Sequence, residues 1–196
     1  MIWNKHSDLE GKHSFLSPSK YTWINYDEGR LLEAFSNFNA AQRGTELHAF
    51  AAQAIKFGQK LAGNHTTMSL FVNDAIGYKM TPEQPLYYSS RCFGTADAIS
   101  FRKNFLRIHD LKTGTTPAHM EQLEIYAALF CLEYNRNPED IQIELRLYQN
   151  NSVIVSNPDP GKIKFIMDKA ILFTRILDEQ DGLIYSNPTL NKTMKG

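Results

Sequence analysis

Between residues 42 and 61 the apolar positions return with a helical step. Leu47, Phe50, Ala51, Ala54, Ile55 and Leu61 fall on one stripe and predict an amphipathic helix. His48 lies at the border of that stripe, where it can look toward the edge of a core. Upstream, Ser17 and Pro18 suit an N-cap and a first helical residue, which predicts a short helix through Trp23 to Tyr26. A further helical piece is expected over 28–35, with its exit over 36–41. After a break at 63–67, residues 68–78 read as another helix.

The period then changes from helical to alternating. Pro82 and Pro85 flank the entry to a strand over 86–90, followed by apolar strands over 92–101 and 105–112 joined as a hairpin by Arg102, Lys103 and Asn104. Thr116 and Pro117 predict a helix over 117–134 with Met120, Leu123, Ala127, Phe130 and Tyr134 buried. Ile141, Ile143, Leu145 and Leu147 alternate with polar residues as in a half-buried strand, and Asn150-Asn151 suits a turn into a last strand over 152–156. An amphipathic helix over 162–179 follows, with Ile163, Ile166, Met167, Ala170, Ile171, Thr174 and Leu177 on its inner face.

These elements predict an α/β fold, a mixed central sheet covered by helices on both faces. With 196 residues and 42% hydrophobic content, one domain over 1–196 is expected, its core at about 14–180. The 21 basic residues balance the 21 acidic ones, so no global positive field points to nucleic acid, and phosphate binding would need local patches or a bridging metal. Cys92 and Cys131 lie in apolar segments without metal-ligand spacing and read as small hydrophobes in a reducing compartment. No stretch reaches membrane-spanning length, and a cytoplasmic protein is expected.

Candidate chemistry concentrates on the central hairpin. A strand turns alternate side chains to one face, so Asp110 and Lys112 point the same way, and the hairpin brings Asp97 toward them. Two carboxylates and a lysine at adjacent strand ends could hold a hard divalent cation and position a water. A structural ion pair on a sheet face explains Asp110 and Lys112 as well, and a hydrogen-bonded histidine at a core edge explains His48. Gln122 and Tyr126, four apart on their helix, are a polar pair that an ordinary helix surface would also carry. Arg91, Arg102, Lys103 and Arg107 could meet phosphates, although a solvated sheet edge accounts for them equally.

Taken in order, four segments form a recognisable set. They are Arg43-Gly44-Thr45-Glu46-Leu47-His48, Gly94-Thr95-Ala96-Asp97, Asp110-Leu111-Lys112-Thr113-Gly114 and Gln122-Leu123-Glu124-Ile125-Tyr126. This set resembles the RecB-like branch of the PD-(D/E)XK nuclease superfamily, over about residues 14–134, and Leu16-Ser17-Pro18-Ser19 resembles phage-encoded members. The resemblance implies a restriction-endonuclease-like sheet and assigns His48, Asp97, Asp110 and the Leu111 carbonyl as metal ligands for Mg²⁺ or Mn²⁺. It assigns Lys112 to the attacking water and the phosphorane charge, and Gln122 and Tyr126 to DNA or to Lys112. Ala96 stands where that family often has proline, and Asp110 is shorter than the usual glutamate. Two cysteines cannot build the four-cysteine iron–sulfur cluster that some relatives carry.

The expected function is therefore a metal-dependent deoxyribonuclease, a phage-type exonuclease in DNA recombination or processing, acting in the host cytoplasm if phage-encoded. A structure-specific endonuclease or nickase, and a nuclease-like module that binds DNA or protein without cutting, are the alternatives. Expected partners are DNA, with a recombinase, a single-strand-binding protein or a second copy of the chain left open.

Overall fold

The computed structural model describes residues 15–16, 18–63, 65–114 and 116–186, so the Ser17 cap lies outside the described residues. The chain divides into two compact units, 1–47 and 48–196. In the first, a 3-10 helix spans Pro18–Asn25 and leads into α1, Glu28–Phe57. Phe15 packs edge-on against Phe35 with ring centroids 5.1 Å apart, and Arg30 lies over the Tyr26 ring. The expected exit over 36–41 does not occur, and α1 runs through it as one helix. Nothing in that stretch breaks a helix, since it lacks proline and glycine and loses only its apolar stripe.

The second unit holds the last turns of α1 and all of the sheet. The helix stops at Phe57, not at Leu61, because Gly58 takes a left-handed φ of +67°, with its amide donating to the Ile55 carbonyl and the Gln59 amide to that of Ala54. Helix α2, Thr67–Gly77, starts on a capping box in which Thr66 and Ser69 satisfy each other's backbone amides. Five strands follow: β1 Thr81–Ser89, β2 Cys92–Arg102, β3 Phe105–Leu111, β4 Gln142–Gln149 and β5 Ser152–Ser156. They lie side by side in chain order, antiparallel except for β3 and β4, which run parallel across α3, Glu121–Glu133. Lys103 and Asn104, at φ 50° and 57°, make the tight β2–β3 turn, and Asn150 and Asn151 make the β4–β5 turn in the same way.

The sheet is mixed and flanked by helices. On one face Leu106, Ile108, Leu145 and Leu147 pack with Leu123 and Ala127 of α3 and Ile163 of α4, Pro160–Ser186. On the other, Ala98, Leu111 and Tyr148 pack with Ala51, Ala54 and Ile55 of α1 and Phe71, Val72 and Ala75 of α2.

Several expected burials are corrected. Phe50 is exposed, as are Tyr134 at the end of α3 and Ile171 and Leu177 on α4. Tyr148, which alternates with Leu145 and Leu147 and so lies on the side of β4 away from α3, is fully buried because β4 is covered on both sides. Cys131 is buried while Cys92 is only half-buried, and both are free thiols. No described helix is long and apolar enough to cross a membrane.

Candidate active site

The β2–β3 ladder ends at the pair Ala98 and His109, one step before Asp97 and Asp110. Beyond it the strands are joined by a side chain: the Leu111 amide donates to Asp97 Oδ2 at 2.8 Å. Asp97 Oδ1 lies 3.2 Å from His48 Nδ1, which the last part of α1 supplies. This hydrogen bond holds the proton on His48 and raises its pKa against the opposing effect of burial, with the Asp97 charge adding to the rise. A carboxylate can only accept, so Nδ1 carries the hydrogen and the neutral ring keeps its lone pair on Nε2.

Asp110 is the buried acid, at 2% exposure. Burial and the neighbouring Asp97 charge raise its pKa, while Lys112 and His48 oppose the rise. Lys112 Nζ is 3.2 Å from Asp110 Oδ1 in a hydrogen bond and 3.0 Å from Oδ2 in the same ion pair, so the ammonium spans both oxygens. The same ammonium donates to Gln122 Oε1 at 2.7 Å. An ammonium only donates, which fixes the Gln122 amide with Nε2 toward the Tyr126 hydroxyl oxygen at 3.2 Å. Tyr126 accepts there and keeps its own proton to give elsewhere.

The Leu111 carbonyl follows from peptide geometry. The Lys112 amide donates to the Tyr148 carbonyl on the β4 side. In a trans peptide the C=O opposes the N–H, so the Leu111 carbonyl turns from β4 toward Asp97. Gly94 explains how Tyr126 comes so close to β2, because a Cβ at that position would stand 2.9 Å from Tyr126 Cε1.

The seven residues expected from the sequence lie around the end of β2 and β3 in two linked sets, His48 with Asp97 and the Leu111 amide, and Asp110 with Lys112, Gln122 and Tyr126. Asp110 is not among the described ligand atoms that gather within 4.8 Å of one another. An eighth was missed. Glu83 sits in β1 between the pairs Pro82 with Ala98 and Gln84 with Ala96, next to Asp97 across the ladder, with φ +49°. Single ligand atoms of His48, Glu83 and Asp97 lie within 4.8 Å of one another, a spacing that could hold a metal ion. Partial burial and the Asp97 charge raise the Glu83 pKa, and His48 opposes them. The flanking prolines hid it, because they placed the start of β1 at Leu86 and left Glu83 in a loop. Residues 81–85 carry no apolar alternation that marks them as strand.

Three of the four basic residues considered for phosphates have other partners. Arg107 pairs with Glu144 at 2.9 Å, Arg91 with Asp178 at 3.1 Å, and Arg102 donates to the Lys79 carbonyl. No family model, no curated protein and no solved structure matches the chain.

Proposed function

We propose that this chain is a metal-dependent DNA nuclease that hydrolyses phosphodiester bonds, of the phage-type exonuclease kind used in recombination or DNA processing. The observation that carries this reading is the gathering of His48, Glu83 and Asp97 ligand atoms within 4.8 Å of one another, beside a buried Asp110 paired with the Lys112 ammonium. A purely structural ion pair gains nothing from a second carboxylate beside it, since burial and the Asp97 charge both disfavour the ionised Asp110. A site that receives a cation gains from the same clustered negative charge.

One imidazole, carboxylate oxygens and a peptide carbonyl suit Mg²⁺ or Mn²⁺. His48, Asp97, Asp110 and the Leu111 carbonyl are the proposed ligands. His48 and Asp97 already lie within 4.8 Å of each other and of Glu83, which would join them, while Asp110 would reach the ion from outside that group. When bound, such an ion polarises a phosphoryl oxygen and makes a water more acidic. The residues of the chain do the rest. Lys112 uses one N–H on Asp110 and one on Gln122, which leaves a third for the charge that develops on the scissile phosphate. Gln122 holds that ammonium in place, and the Tyr126 hydroxyl proton is free for a phosphate oxygen.

The test is cleavage of linear and closed circular DNA with Mg²⁺, with Mn²⁺ and with chelator. Metal-dependent loss of linear DNA alone is the expected result. Loss of the circle as well would favour a structure-specific endonuclease or nickase, and no cleavage by folded protein would favour a binding module.

A further inference from the structure

From the acids, strands β1 and β2 run outward as an exposed track. Exposure alternates cleanly along Glu83 to Tyr87 in β1 and along Phe93 to Asp97 in β2. Cross-strand pairs join Pro85 with Thr95 and Tyr87 with Phe93. Glu83 and Asp97 therefore mark one end of the track, and Tyr87 and Phe93 the other.

The aromatic end is not packed away. Tyr87 is 53% and Phe93 68% exposed, yet their rings lie near parallel, 28° apart in plane with centroids 6.4 Å apart. A cross-strand aromatic pair steadies a hairpin, but rings left more than half in water gain little from burial. The backbone beneath them is braced, because the Tyr87 amide on the sheet edge donates to Glu133 of α3 at 2.7 Å. On this face of the two strands, the residues between the rings and the acids are Pro85 and Thr95, both exposed, short and uncharged.

We propose that Tyr87 and Phe93 form a stacking platform for the bases of a single strand whose scissile phosphate lies at the acids; this rests on the nuclease reading above. Every base has a flat π-face, so exposed rings beside a nuclease centre bind unpaired nucleotides without regard to sequence. Phe93 is four strand residues from Asp97, about 13 Å. That is the length of roughly four stacked nucleotides on one strand. The bases of a duplex are already stacked and paired, so the platform selects a frayed or single-stranded end.

The test measures binding of the full chain to an oligo(dT) of 20 residues, to the same oligomer made wholly abasic and to a blunt duplex, with Ca²⁺ as a non-catalytic probe ion. Wild type is compared with the double variant Tyr87→Ala, Phe93→Ala and with Tyr87→Phe, and thermal unfolding confirms that each is folded. Wild type is expected to favour oligo(dT) over the other two. The double variant should lose at least about fivefold in affinity for oligo(dT) and nothing for the abasic strand, while Tyr87→Phe retains binding. Equal binding of oligo(dT) by wild type and the double variant, equal binding of the abasic strand by wild type, preference for the duplex, or no oligonucleotide binding at all would each overturn the platform. Mn²⁺ binding is measured separately in the same proteins. Its absence from wild type would overturn the nuclease reading, whereas its presence with unchanged oligonucleotide affinity in the double variant would overturn the platform alone.

Discussion

Asp97 accepts the backbone amide of Leu111 at 2.8 Å, so one carboxylate both closes the open end of the β2–β3 ladder and faces the candidate metal site. Its two roles can be separated. Asp97→Asn keeps an oxygen for the Leu111 amide but loses the charge, while Asp97→Leu loses both. Asn should unfold within about 1 kcal/mol of wild type and Leu about 1–3 kcal/mol below it, as expected for a stranded amide. Both should lower metal-dependent cleavage by on the order of 100-fold or more. Urea denaturation and a cleavage assay on the same preparations check this.

Asp110 sets stability against function. Burial and the Asp97 charge raise its pKa, so its ionised form is disfavoured in the fold and costs stability above the ordinary carboxylate range. Asp110→Asn should therefore unfold at a higher temperature than wild type at pH 7, by roughly 2–4 °C for each kcal/mol gained. It should lose cleavage altogether. Added Mn²⁺ should raise the Tm of wild type and leave that of the variant unchanged.

Gly94→Ala should act through Tyr126. The new Cβ would meet Cε1 at 2.9 Å, displacing the ring and with it the hydroxyl that Gln122 addresses. A loss of about 1–3 kcal/mol is expected, together with reduced cleavage. In a Tyr126→Ala background the same substitution should cost little, so a double-mutant cycle by chemical denaturation should show strong coupling.

Cation affinity should depend on pH in a fixed direction. The Asp97 hydrogen bond raises the pKa of His48, and burial raises that of Asp110, so in the absence of metal both hold protons to higher pH than usual. A cation must displace those protons. Affinity for Mn²⁺ should fall steadily as pH drops below neutrality, and calorimetry in buffers of different ionisation enthalpy should register proton release on binding.

His109 makes the fold acid-sensitive on the opposite face of the sheet. Tyr148 donates its hydroxyl proton to Asp74 at 2.8 Å and so accepts from His109 Nδ1, leaving Nε2 buried without a partner among the described residues. Burial, aided by Arg146 and Arg107, depresses the His109 pKa to about 3. The unfolded chain takes up a proton near pH 6.5 while the folded chain resists it. The sign is therefore a loss of stability as pH falls from about 6.5 toward 3, by up to ~1.4 kcal/mol per pH unit from this group. His109→Gln should flatten that slope between pH 6 and 4 in urea denaturation.

The central hairpin was legible because its chemistry follows from period two alone. Once 92–101 and 105–112 are strands joined at 102–104, Asp97, Asp110 and Lys112 must meet at one end. Helix bounds were less legible, since they depend on distant partners. Thr116-Pro117 has a helix-start pattern, yet α3 begins at Glu121. The reason is Gln149 at the end of β4, which donates to the Gly114 and Thr116 carbonyls and accepts from the Ala118 amide, holding that stretch as a loop. Glu83 was hidden for a related reason, because nothing local distinguishes a proline in an edge strand from a proline in a loop.

The most direct measurement joins binding to chemistry at Asp110. Linear duplex DNA is incubated with wild type and with Asp110→Asn while Mn²⁺ is titrated, and bound ion and released nucleotide are followed in the same samples. Wild type should bind Mn²⁺ and degrade the DNA in proportion to occupancy, and folded Asp110→Asn should do neither. Equal Mn²⁺-dependent degradation by the variant would contradict a nuclease centre built on Asp110.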